Sequence, residues 1–165
     1  MDQVRSVGAY EGALRIAHHA FKFEGMEGLV VDLAGRMVSI ESESFWRDGK
    51  VLVPVPQSPE RERERGYNPA VLLAGEISRL THCPAMRVLR KTLSTRPQMS
   101  LKRNERLKNP KGAYQTAAGV SLPDKIILVD DVFTTGSTLE ECAKVLKKAG
   151  VPWVGALVFG RTPRY

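Results

Sequence analysis

Ile-Ile-Leu-Val at positions 126–129 puts four aliphatic residues in a row between Lys125 and a pair of acids, Asp130 and Asp131. A short run that is apolar on both of its alternating faces suits a strand buried between two layers, as in a parallel sheet with helices on either side. The chain then turns through Thr134, Thr135, Gly136, Ser137 and Thr138. Leu139, Cys142, Ala143 and Leu146 follow on one helical stripe, and Gly150 is placed to stop it. A strand–turn–helix unit of this kind points to an α/β fold. It also marks a place, because in open parallel sheets ligands bind beyond the carboxyl ends of the strands.

The rest of the pattern agrees with that class. Residues 10–23 and 28–40 have helix-type apolar spacing, with Leu29, Leu33, Met37 and Ile40 on one face of the second. Residues 51–55 read as a buried strand, ended by Pro54, Pro56 and Pro59. Asn68-Pro69 starts a helix that runs to Leu80, since Asn caps well and Pro fits the first helical position. Residues 85–90 have a strand-like composition, and 153–159 form a last buried strand. Residues 91–112 are too basic, and too interrupted by Pro, Ser and Asn, for core structure. The chain is expected to be one domain over 1–165, with N-terminal helices in 1–45, a basic segment over 91–112 and the strand–loop–helix unit over 125–150.

With 165 residues, 42% of them apolar and 26% charged, the chain is long enough for one self-sufficient core and is neither fibrous nor disordered in composition. Its longest aliphatic run is far short of the ~20 apolar residues of a membrane span, and residues 1–10 lack the basic and apolar regions of a leader. Cys83 and Cys142 stand alone, which argues against a disulfide framework and against zinc, and makes a reducing cytoplasm the simplest setting. Net charge is +7, yet residues 85–115 alone hold nine basic side chains and one acid. The remainder is therefore near neutral. A local field of this kind serves a solvated loop, or a surface for phosphate or nucleic acid.

The turn after the aspartates has a chemistry of its own. A helix N-terminus offers unpaired amides and the positive end of a dipole, Gly136 permits close backbone approach, and the hydroxyls add short donors. Together they suit a phosphate. Carboxylates beside such a cup would repel the phosphate itself, but they suit sugar hydroxyls or Mg²⁺, which takes oxygen ligands. The ligand implied is a phosphorylated ribose. Either half alone is explained by helix capping, with Ser137 and Glu140 spaced as a capping box; both halves after an all-aliphatic strand favour the ligand.

The VDDVFTTGST run resembles the phosphoribosyl-pyrophosphate (PRPP) motif of type I phosphoribosyltransferases. Within that superfamily the whole chain, roughly residues 10–161, resembles the ComF/GntX family of competence-associated phosphoribosyltransferase-like proteins. Three segments carry the closer match: VLVPVPQSPERERERGYNPA at 51–70, RKTLSTRPQMSLKRNERLKNPKGAY at 90–114, and YEGALRIAHHAFKFEG at 10–25. The resemblance implies a type I phosphoribosyltransferase fold, with a mainly parallel central sheet flanked by helices and a flexible basic hood. It places Asp130 and Asp131 on the ribose hydroxyls and, indirectly, on Mg²⁺. Thr134, Thr135, Gly136, Ser137 and Thr138 would wrap the 5′-phosphate. Val55, Pro56, Gln57 and Ser58 match the pyrophosphate loop, with Arg61, Arg63 and Arg65 beside it. The 91–112 segment, with Arg103 and Arg106, matches the lid.

The sequence also departs from the family. Many relatives carry a four-cysteine zinc ribbon before this domain, and this chain has none. Pro69 replaces a common Gln. Thr134 stands where purine-salvage relatives often have an acidic base, which weakens a purine-salvage assignment. His18, His19 and His82 have no metal-ligand spacing and read as ordinary helix and loop residues; the alternating charges of 60–65 read equally as a solvated face. Two functions are expected in competition. One is transfer of phosphoribosyl from Mg²⁺–PRPP to an unidentified acceptor with release of pyrophosphate. The other is a non-catalytic competence module that holds single-stranded DNA or a partner protein. A homodimer is compatible with both.

Overall fold

The computed structural model describes residues 1–92 and 112–163. Its centre is a sheet of four parallel strands in the order β1 (Gln3–Ala9), β6 (Trp153–Arg161), β5 (Lys125–Phe133), β2 (Val51–Pro54). Lys125 pairs with Trp153 and Asp130 with Val158 across β5 and β6, while Val51 pairs with Ile126 across β2 and β5. Beyond β2, Leu52 exchanges backbone bonds with Pro84 and Met86, extending the edge by one bridge. A two-stranded antiparallel ribbon, β3 (Leu89–Lys91) with β4 (Tyr114–Thr116), stands apart from this sheet.

Strand alternation divides the core. Ile126 and Leu128 of β5, Val53 of β2, and Val154, Ala156 and Val158 of β6 face helix α6 (Ser137–Lys148) and Tyr114. Ile127, Val129, Leu52, Leu157 and Phe159 face the other way. They pack there on α1 (Gly12–Phe23), α2 (Val30–Ser39), α5 (Pro69–Thr81) and Trp46 of the short α3 (Glu43–Arg47). Each fully buried Leu, Ile or Phe contributes roughly 1.5–3 kcal/mol relative to exposure, which is why the aliphatic runs of β2, β5 and β6 set the sheet. Among the described residues no helix is long and apolar enough to cross a membrane.

Several expectations shift. The 1–45 segment, expected to be helical, opens with β1, which joins the sheet by pairing with β6 from Gln3↔Gly155 to Ala9↔Arg161. The strand expected at 85–90 is reduced to Leu89–Lys91 and belongs to the separate ribbon. β5 runs past the aspartates to Phe133, because β6 keeps offering ladder partners as far as Arg161. The sign-alternating run at 59–65 is a helix, α4 (Pro59–Arg65). Ser58 caps it by accepting from the Arg61 amide, Pro59 stands in its first turn, and Gly66 ends it at φ 87°. Most of the 91–112 segment, with Arg103 and Arg106, lies outside the described residues.

Candidate functional site

The turn that joins β5 to α6 is built around Gly136 at φ 79°. A Cβ there would come within 2.4 Å of the Phe133 ring, so glycine alone lets the ring sit against the turn. The end of β6 braces it from outside: the Arg161 guanidinium lies 5.1 Å from the Phe133 ring centroid, and the Thr162 amide donates to the Phe133 carbonyl at 2.9 Å. The resulting cup encloses about 40 Å³ and brings Asp130 together with Thr134, Thr135, Gly136, Ser137 and Thr138. The capping box does not form. Gly136 occupies the cap position without a side-chain bond, and the Glu140 amide bonds the Gly136 carbonyl. At this helix end the Ser137 amide donates to Thr135 Oγ1 at 3.4 Å, and the next amides along the turn suit a ligand.

The two aspartates part company. Alternation along β5 sends Asp130 to the α6 face, where it lines the cup, and Asp131 to the α1 face. Asp131 is fully engaged: one oxygen accepts from the Val132 amide at 2.7 Å, and the other meets His18 Nε2 at 3.0 Å and the Lys22 ammonium. Burial would raise its pKa, but the His18 bond and the Lys22 charge outweigh this and hold Asp131 well below the usual carboxylate range. Because an ionised carboxylate only accepts, His18 Nε2–H donates to it. On the other side of the ring, Nδ1 hydrogen-bonds the Tyr10 hydroxyl at 2.7 Å. Asp130 goes the opposite way: burial first, then the Asp131 charge, push its carboxyl well above the usual range.

His18, Lys22 and Tyr10 are the site residues that reading the sequence missed. His18 and Lys22 stand four apart on α1, so one helix face presents both to β5. The available signal was a polar pair on the apolar stripe of Leu14, Ala17 and Phe21.

The loop after β2 is positioned by Asn68. Its side-chain amide donates to the Val55 carbonyl at 3.1 Å while its oxygen caps α5 through the Ala70 amide at 3.0 Å. Tyr67 donates to the Phe21 carbonyl, tying α1 to the same corner. Val55 packs into the core and its amide donates to the Val129 carbonyl at 2.9 Å, so that residue positions the loop without offering a ligand a donor, and Ser58 is engaged as the cap of α4. Gln57 Oε1 accepts from Arg65 at 3.2 Å. Arg61 and Arg65 line a common pocket with Lys22, whereas Arg63 is exposed and outside it. Among the described residues no three His, Cys, Asp or Glu side chains gather as a metal cluster.

No protein-family model matches the chain. The competence protein ComFC of Bacillus subtilis is 35% identical over 148 residues, covering 90% of this chain and 59% of that protein. Competence protein F of Haemophilus influenzae is 33% identical over 158 residues, covering 91% and 69%. A DNA utilization protein, YhgH, from an Escherichia coli strain is 29% identical over 163 residues, covering 95% and 71%. The chain thus spans about three fifths of the Bacillus relative's length and about seven tenths of the other two. Among solved structures, an allosteric regulatory enzyme of purine biosynthesis superposes with a TM-score of 0.52 at 20% identity, over 78% of this chain and 25% of that one. That likeness concerns the fold, and it agrees with the parallel sheet and its flanking helices. The chain belongs to the ComF family of competence proteins and has the type I phosphoribosyltransferase fold.

Proposed function

We propose that the chain binds Mg²⁺–PRPP and transfers its phosphoribosyl group to an acceptor with release of pyrophosphate. The observation that carries this reading is the cup itself. A helix end capped by glycine and two hydroxyls 3.0 Å apart adjoin one half-buried carboxylate, that of Asp130. The 5′-phosphate would sit on Thr134–Thr138 and the ribose hydroxyls on Asp130. Asp131, bound to His18 and Lys22, would act as framework. The diphosphate would lie along residues 55–58, flanked by Arg61, and the charges of 91–112 would offset its own. In the transfer the C1–O bond breaks, the oxygen leaves with the electron pair as pyrophosphate, and the acceptor's nitrogen lone pair forms the C1–N bond, any proton passing to solvent. The residues fit Mg²⁺ only as a partly protein-held ion, since Asp130 already accepts from the Asp131 amide through Oδ1 and has one oxygen left, so the remaining ligands must come from substrate and water. Bound there, Mg²⁺ would neutralise the diphosphate. The chain's own part is positioning and electrostatics.

Calorimetry with Mg²⁺–PRPP tests this. The double variant Thr135→Val with Ser137→Ala should bind at least tenfold more weakly than the parent chain. Equal affinity would overturn the assignment. A second reading, in which the domain serves DNA handling without catalysis in a reducing cytoplasm, draws support from the competence and DNA-utilization names of its relatives.

A further inference from the structure

A second cavity, of about 620 Å³, opens between the end of α1 and α4, and its walls include Lys22, Phe23, Arg61, Glu64, Arg65 and Tyr67. That volume falls within the ~300–1,000 Å³ of small-molecule sites. It is far larger than the phosphate cup. Arg61 and Arg65 line it together with one carboxylate, Glu64, while the Lys22 ammonium is already paired with Asp131. Phe23 is 61% exposed, although a core lies directly behind its helix. The Arg65 guanidinium stands 5.4 Å from the Phe23 ring centroid and the Lys22 ammonium 6.0 Å. Tyr67 is held in place by its bond to Phe21, and Arg65 by Gln57. Lys22 connects the two sites, because its ammonium meets Asp131 at the end of β5 while its side chain lines this cavity.

These walls constrain the occupant. A diphosphate would use the arginines but has no need of an exposed aromatic ring. A neutral base would use the ring but leave the excess of Arg61 and Arg65 over Glu64 uncompensated. We infer that the pocket receives the acceptor of the transfer and that the acceptor is a planar aromatic ring bearing a carboxylate. The inference rests on the transferase reading above. The ring lies against Phe23, with its acid directed to Arg65 and its plane close to the carboxyl end of β5.

The test uses matched pairs that differ in the carboxylate, nicotinate against nicotinamide and orotate against uracil, titrated into the full chain with and without Mg²⁺–PRPP. At least one acid should bind tenfold or more tightly than its neutral counterpart. Phe23→Ala and Arg65→Gln should each weaken that acid at least tenfold, while Phe23→Ala keeps the parent's PRPP affinity within about twofold. Phe23 is exposed, so the unfolding midpoint of its variant serves as the folding control. If PRPP binds but neither acid is preferred, or Phe23→Ala binds the acid as the parent does, the acceptor assignment fails and the transferase reading stands. If an acid ring binds but PRPP does not, the transferase reading fails and the pocket remains an anionic-ring site. Inorganic pyrophosphate that displaces the ring, and is itself weakened by Phe23→Ala, would give the pocket to the diphosphate and overturn the inference.

Discussion

Asp130 and Asp131 are consecutive carboxylates whose removal should have opposite consequences, because β5 sends them to opposite faces. Asp131 accepts from Val132, His18 and Lys22. Asp131→Asn keeps the shape but removes the charge that two of those donors meet, and hydrogen bonds to charged groups are worth about 1.5–3 kcal/mol each. The variant is expected to lose about that much stability, read as a lower midpoint in urea at an unchanged slope. Asp130→Asn removes a carboxylate that burial and its neighbour already disfavour, so its midpoint should stay within about 0.5 kcal/mol of the parent while PRPP binding is lost. Equal destabilisation by the two changes would refute the division. The paired acids and the hydroxyl turn were legible as one ligand site. Their separation was also implicit in the strand's two-residue period, but nothing in the sequence near 130 announces a histidine more than a hundred positions earlier.

At the level of elements, the aliphatic runs disclosed β2, β5, β6 and α6 because burial on both faces leaves a compositional mark. The elements that escaped notice have no such mark. β1 has only Val4 and Val7 as aliphatic residues and depends on pairing with β6. α4 is written in alternating charges and held by Ser58 and Gly66 at its ends. The β5–α6 turn depends on a single glycine. Gly136→Ala must adopt a positive φ and displace the Phe133 ring, at an expected cost of about 1–3 kcal/mol; PRPP affinity should fall with it, and parent-like affinity in calorimetry would show that the cup does not need this backbone. The β3–β4 ribbon has a signature in alkaline solution. Burial above all, with the nearby Asp130 charge adding to it, pushes the Tyr114 phenol up to about 12. A phenol raised in the fold contributes stability that is complete below its unfolded value near 10 and is lost as pH rises toward the folded value. Urea midpoints followed from about pH 9 to 12 should decline in the parent chain and much less in Tyr114→Phe. Parallel declines would place the alkaline loss elsewhere.

Across the whole molecule, charge is segregated rather than spread. Net charge is +7, and the nine basic residues of the 85–115 segment against one acid exceed it, so the rest of the chain is nearly neutral. Arg87 and Arg90 are exposed at one end of that segment, and Lys91 lies over the Tyr114 ring at 5.4 Å. A field of this kind draws polyanions whatever their sequence. If four to six of these side chains meet phosphates, the log–log dependence of single-stranded DNA affinity on salt should have a slope of about −3 to −4, at ~0.7 per contact. Stacking on an aromatic ring would add about 1–3 kcal/mol per base that salt does not alter. Titration of a labelled oligonucleotide at several salt concentrations measures both, and repeating it with saturating Mg²⁺–PRPP asks whether the diphosphate and the strand share the same cations. Shared cations should lower DNA affinity and flatten the slope when PRPP is bound; separate ones leave both unchanged. If no binding is detected even near 50 mM salt, where such contacts are strong, the positive segment serves PRPP alone, and contact with DNA by this domain is excluded.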